Sequence, residues 1–143
     1  MVADRFALLG SITINKNTAS CSMFPNYLFY NDGTIYNINH KKFLKKCLSI
    51  NNYEFVILSN HRYKKMFYVH RLMYLLFCDS IPDGHEIDHK NKIRDQNDIN
   101  NLRCISIQEN RQNRNFKDNQ YKEIDKKHND KYKDKKYYNK NKQ

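Results

Sequence analysis

An acid and a histidine stand side by side at Asp88 and His89, and asparagines follow at Asn97, Asn101 and Asn110. A carboxylate and an amide oxygen are hard donors. They suit a divalent cation such as Mg²⁺ or Mn²⁺ that keeps coordination positions for water and a phosphate oxygen. A neutral imidazole beside that cation could take a proton from a water aligned on phosphorus. In this chemistry Asp88 and Asn110 are the metal ligands and His89 is the general base. Asn101 would hold the His89 ring through its side-chain amide, and Asn97 would pin the loop through its own backbone. Asparagine occurs 20 times in the chain, so a single Asn at a given spacing carries little. The joint spacing carries the argument.

These side chains meet only if the flanking elements bring them together. The turn signal Asp83-Gly84 leads into a short strand over 85–89, a polar loop over 90–101 and a second strand over 102–106. Ser106 and Glu109 have the S-x-x-E spacing of a capping box, which predicts a helix from Ser106 through ENRQNRNF. Asn110 is the fourth helical position after that cap, where side chains lean back toward the helix start. Upstream, Leu72, Leu75, Leu76 and Phe77 give a helical pattern over 70–82 that ends before Pro82. Further upstream, two β-prone runs over 27–38 flank the hairpin turn Asn31-Asp32-Gly33, and 53–59 pairs with 65–71 across NHRYK. The first half therefore reads as a small antiparallel sheet. The stretch 40–50 fits a strand or a short helix, and residues 1–26 have no clear periodicity. The predicted class is α+β, with a β-rich segment over 27–69, a compact module over 70–116 and a lysine-rich tail over 117–143. That tail has too few aliphatic residues to offset its ordering entropy, so a disordered or marginally helical electrostatic arm is expected.

Charge narrows the partner. With 26 Lys and Arg against 15 Asp and Glu, net +11 and pI near 9.5, the chain suits a polyanion, because each neutralised phosphate releases counterions. Nucleic acid is favoured over an acidic membrane. Lys41, Lys42, Lys45, Lys46, Arg62, Lys64 and Lys65 offer a groove-reading surface on the β-rich segment, with Arg71, Arg111 and Arg114 in reach of phosphates from the module. No run approaches the ~18 apolar residues of a membrane helix. Asp4 spoils the start as a signal peptide, so a soluble intracellular protein is expected. Cys21, Cys47, Cys78 and Cys104 show neither C-x-x-C nor ligand spacing. Cys78 and Cys104, in apolar runs, read as buried thiols.

Taken together, VHRLMYLLF, IPDGHEIDH, N-x-x-x-NLR and S-x-x-EN resemble the HNH (ββα-metal) nuclease family in its phage- and intron-associated homing form, over roughly residues 69–115. The preceding YLFYNDGTIYNI and YEFVILSNHRYKKMFYVHRL are similar to the β-rich segment that precedes the module in that group. KNKIR stands where the family often has a Gly-containing turn, and Asn110 stands where many members have His. The resemblance implies metal-dependent DNA cleavage to 5′-phosphate and 3′-hydroxyl ends. It implies Asp88 and Asn110 as ligands, with Asn113 as the alternative on a rotated helix. It further implies His89 as base, Asn101 as its orienting residue and Asn97 as a loop brace. His70 is expected to be structural, bonding across to the loop, and His85 an ordinary strand residue. The runner-up is a non-catalytic, sequence-specific DNA-binding protein derived from such a nuclease.

Overall fold

The computed structural model describes residues 2–112. Arg114, Asn113 and the 117–143 tail lie outside the described residues. The first 107 residues form one compact unit, and a second begins at Gln108.

The segment without periodicity proves to be ordered. Asp4 caps a one-turn helix, α1 (Arg5–Leu9), its carboxylate accepting from the amides of Phe6 and Ala7, and Gly10 at φ 72° ends it. The Asp…Gly bracket is a legible signal, but the helix is too short to show a period. Strands β1 (Ile12–Asn15) and β2 (Thr18–Cys21) follow. The NDG hairpin forms as β3 (Tyr27–Tyr30) and β4 (Ile35–Asn37).

The ambiguous 40–50 stretch gives two two-residue strands, β5 (Lys42–Phe43) and β6 (Cys47–Leu48), each completing a different sheet. β1 to β5 make a five-stranded antiparallel meander. β6 joins β7 (Glu54–Ser59) and β8 (Lys64–Tyr68) in a three-stranded antiparallel sheet. The single small sheet expected from the sequence is therefore two.

β8 runs straight into α2 (Val69–Phe77) with no side-chain cap at Tyr68. Val69, read from the sequence as strand, and His70 and Arg71, where the strand and helix readings overlapped, are thus the first turn of the helix. Val69, His70, Leu72, Met73, Leu75 and Leu76 are all buried. A helix apolar on almost every side belongs inside. α2 packs on β2, β7, β8, β9 and β10 and on α1, with Val56, Leu58, Phe67, Ile87 and Leu102 among its partners in one core. Each fully buried Leu contributes about 1.5–3 kcal/mol. The Arg5 guanidinium donates to the carbonyls of Leu76 and Cys78, closing the end of α2.

Beyond α2 come β9 (His85–His89) and β10 (Leu102–Ser106), antiparallel and joined by the 90–101 loop with a 3-10 turn at Ile99–Asn101. The chain is helical from 107 through 112, beginning directly after Ser106. The cysteines differ from expectation. Cys78 is exposed because α2 stops one residue earlier, Cys104 is half-buried on β10, and Cys21 is the buried thiol. Among the described residues no helix is long and apolar enough to cross a membrane.

Candidate active site

Strand alternation sets the first division of labour. In β9, Ile87 and His89 share one face and are buried, while Asp88 lies on the other. Residues opposite each other in an antiparallel pair share a face, and Asp88 sits opposite Arg103 of β10. Arg103 Nε and Nη2 lie 3.0 and 2.9 Å from Asp88 Oδ2. From the loop, Lys92 Nζ stands 3.0 Å from Oδ1 and 2.8 Å from Oδ2. The carboxylate is 11% exposed and gathers two cations.

That arrangement is a test of whether the residues fit a metal. A partly buried carboxylate on which positive charge already converges is a fitting hard donor for Mg²⁺ or Mn²⁺. Among the described residues no group of three or more His, Cys, Asp or Glu is placed to hold a metal ion by itself. A cation here would draw on Asp88, on neutral oxygens and on water. Asn110 is buried on the helical stretch of the second unit, and Arg111 is exposed there.

His89 is 3% exposed. Its Nε2 lies 2.8 Å from Asn97 Oδ1, and Asn97 Nδ2 lies 2.8 Å from Glu54 Oε2 on β7. Glu54 is held in turn by Lys46 Nζ at 2.9 Å. The chain of donors fixes the protons. A carboxylate only accepts, so Asn97 must turn its NH₂ to Glu54 and its oxygen to the imidazole. That oxygen only accepts, so Nε2 carries the hydrogen and Nδ1 the lone pair. Burial pushes His89 below the ordinary histidine range, against the opposing pull of the Asn97 bond and of Asp88. The neutral ring is the resting form.

The two asparagines have exchanged their expected places. Asn97 touches the His89 ring. Asn101 ties the loop to itself, donating to Asn91 Oδ1 and the Gln96 carbonyl and accepting from the Asn91 amide. The reason is that Asn101 is the last residue before β10, where its carbonyl accepts from Lys90 and extends the ladder. Asn97, at the apex, reaches across to the other sheet.

The loop is seated from outside as well. Gly33, at φ 92° in the NDG turn, lies so close to Asn97 that a Cβ there would meet Asn97 Cβ at 2.9 Å and its carbonyl oxygen at 3.0 Å. The Ile99 amide donates to the Asn31 carbonyl at 2.8 Å. Arg94 donates to the Asn51 carbonyl and stands 5.0 Å over the Tyr53 ring. Tyr53 stacks on His70 at 5.0 Å, and His70 lies 5.2 Å from His89. His70 is buried with Nδ1 unpartnered, so it packs by ring contact where a bond to the loop was expected. Burial, then the charges of His89 and Arg71, lower its pKa to about 3. His85 is a half-buried strand residue whose Nδ1 meets the Asp83 carbonyl.

Lys41, Lys42, Lys45, Arg62, Lys64 and Lys65 are exposed and Arg71 is half-buried. Lys46 differs, since it is spent on Glu54. Glu54, Lys92, Arg103, Tyr53 and Arg94 were not singled out from the sequence. Arg103 was accessible to strand register alone. Glu54 was not, because its partner is 43 residues away.

Residues 67–112 match the sequence model of the HNH endonuclease family. The DNA endonuclease I-HmuI of Bacillus phage SP01 is 33% identical over 81 residues, 57% of this chain and 47% of that protein. An uncharacterized HNH endonuclease of Acanthamoeba polyphaga mimivirus is 32% identical over 80 residues, 55% of this chain and 20% of that protein. The chain thus spans less than half the length of these curated relatives. A solved structure described as DNA binding and cleavage by the HNH homing endonuclease I-HmuI superposes with a TM-score of 0.61 at 28% identity, over 73% of this chain and 65% of that one. The matched segment runs from the end of β8 through α2, β9, the 90–101 loop and β10, the elements that hold Asp88, His89 and Asn97, and over these residues the chain carries an HNH endonuclease segment.

Proposed function

We propose that this chain is a metal-dependent endonuclease acting on double-stranded DNA, leaving 5′-phosphate and 3′-hydroxyl ends. The observation that carries the reading is the neutral, buried His89 with its Nε2 proton fixed by Asn97, next in sequence to an Asp88 carboxylate that attracts cations. Its nuclease relatives, each longer than this chain, support it.

In this reading Nδ1 of His89 takes a proton from water as the oxygen attacks phosphorus, and Asn97 Oδ1 stabilises the resulting imidazolium through Nε2–H. Held by Asp88 and Asn110, Mg²⁺ or Mn²⁺ would supply charge neutralisation at the phosphate and its 3′ leaving oxygen. Arg103 keeps Asp88 oriented. Asn101 keeps the loop closed so that Asn97 reaches the ring. The β-rich segment, residues 27–69, follows the duplex with Lys41, Lys42, Lys45, Arg62, Lys64 and Lys65, and Arg71 and Arg111 meet phosphates near the module, residues 70–116. In sequence, Arg114 and the lysine-rich tail extend that basic surface.

Supercoiled plasmid incubated with the protein, with Mg²⁺ and with excess chelator, tests the proposal. Nicked or linear product only with metal, its ends ligatable without phosphatase or kinase treatment, supports it. Metal-dependent binding without any cut strand would replace it with the DNA-binding reading.

A further inference from the structure

We infer that Glu54, from the sheet outside the nuclease segment, is a positioning residue that selects the His89 tautomer through Asn97, with Lys46 holding Glu54 in place. The inference deepens the proposed function and rests on His89 being its base.

Asn97 is 2% exposed, and its amide is bonded on both sides: to His89 Nε2 at 2.8 Å and to Glu54 Oε2 at 2.8 Å. A primary amide beside a neutral imidazole has no intrinsic preference, because either end can pair with the ring if the ring moves its proton. Were the NH₂ to face the ring, Nε2 would have to accept and the proton would sit on Nδ1. That ring could not accept a proton at Nδ1. Glu54 breaks this symmetry, since a carboxylate at hydrogen-bond distance tolerates only the NH₂ end. The choice is made by charge and not by packing, as the two ends of the amide are nearly the same size.

Lys46 completes the device. Its ammonium, 2.9 Å from Glu54 Oε2 and 3.4 Å from the Gly33 carbonyl, keeps the carboxylate aimed at the loop. Lys46 lies just before β6 and Glu54 is the first residue of the neighbouring strand β7, so one end of the small sheet programs the base on β9. Outer-shell partners of this kind are worth about 10- to 100-fold in activity at metal sites.

The test uses the full chain with ¹⁵N-labelled histidine, Glu54→Met and Glu54→Gln, and two readouts at one pH. Ring-nitrogen NMR reports the His89 tautomer without metal or DNA, and steady-state cleavage separates kcat from KM. Wild type should show Nε2–H alone. Glu54→Met should show both tautomers and lose about 10- to 100-fold in kcat at unchanged KM. Glu54→Gln keeps a carbonyl acceptor and should recover both the tautomer and most of the rate. A Glu54→Met protein that folds and keeps pure Nε2–H would overturn the inference, whatever its activity. If the tautomer shifts as expected while wild type cuts no DNA under any condition, the positioning role stands and the nuclease reading falls.

Discussion

Lys92 Nζ lies 2.8 Å from Asp88 Oδ2, an ion pair four residues apart that spans the end of β9 and the first turn of the loop. A divalent cation drawn to Asp88 meets a carboxylate already answered by Lys92 and Arg103. Arg103 holds one oxygen from the neighbouring strand, whereas Lys92 covers both from a flexible stem. Lys92 is therefore the residue that a bound cation would displace. A single i,i+4 pair, here with side chains 18% and 11% exposed, is worth on the order of 1 kcal/mol. Lys92→Met should lower the Mg²⁺ concentration for half-maximal cleavage by a few-fold, up to about tenfold. A metal titration of both proteins checks it, and a higher requirement in the variant would show that Lys92 helps to hold substrate phosphate.

His89→Ala should reduce cleavage by roughly 10²- to 10⁴-fold while DNA affinity in a gel-shift assay stays near wild type, because a base is lost and no phosphate contact is. Asp88→Asn should instead make activity respond to raised Mn²⁺ more than His89→Ala does. Identical metal responses would mean the two roles are wrongly divided. Asn97→Ala should be more damaging than Asn101→Ala, since only the former bonds the ring.

Gly33→Ala tests the seat of the loop. The new Cβ must push Asn97 away, and φ 92° is unfavourable for alanine. A stability loss of about 1–3 kcal/mol is expected by chemical denaturation. Cleavage should fall further than the folded fraction predicts, because the moved residue is the partner of His89. Wild-type activity per folded molecule would show that the loop seats itself independently of the hairpin.

His70 gives a pH prediction. Its neutral ring is surrounded by His89, Tyr53 and Tyr68, with Arg71 beside it and Arg94 beyond Tyr53, and burial together with the charges of His89 and Arg71 disfavours its protonation. The unfolded histidine titrates near 6.5 and the folded one near 3. Below pH 6.5 the unfolded chain takes up a proton that the folded chain refuses. The stability contribution is thus complete above pH 6.5 and is lost as pH falls from there toward 3. The loss amounts to about 2 kcal/mol by pH 5. Denaturant melts at pH 7 and pH 5 should show a smaller decline for His70→Phe than for wild type, with the remainder due to other groups such as His89. Equal declines would mean that the His70 ring is open to water.

Much of the chain is written locally. The NDG hairpin, the strand that ends in Asp88-His89, the apolar run of α2 and the helix start after Ser106 follow from turn chemistry, periodicity and capping, which act over a few residues. The neighbouring pair Asp88 and His89, and the basic character, needed no fold to be noticed. The tertiary structure decided which asparagine serves the histidine. Asn97 and Asn101 are chemically alike and four residues apart, and the choice depends on Glu54 and Gly33, 43 and 64 positions distant in sequence. It also decided that the first half forms two sheets, that β8 enters α2 without a cap, and that Lys46 serves the loop. Local signals record what a residue prefers for its own backbone, whereas a hydrogen-bond partner is set by which surfaces the core brings together, and no pattern along the chain carries that distance.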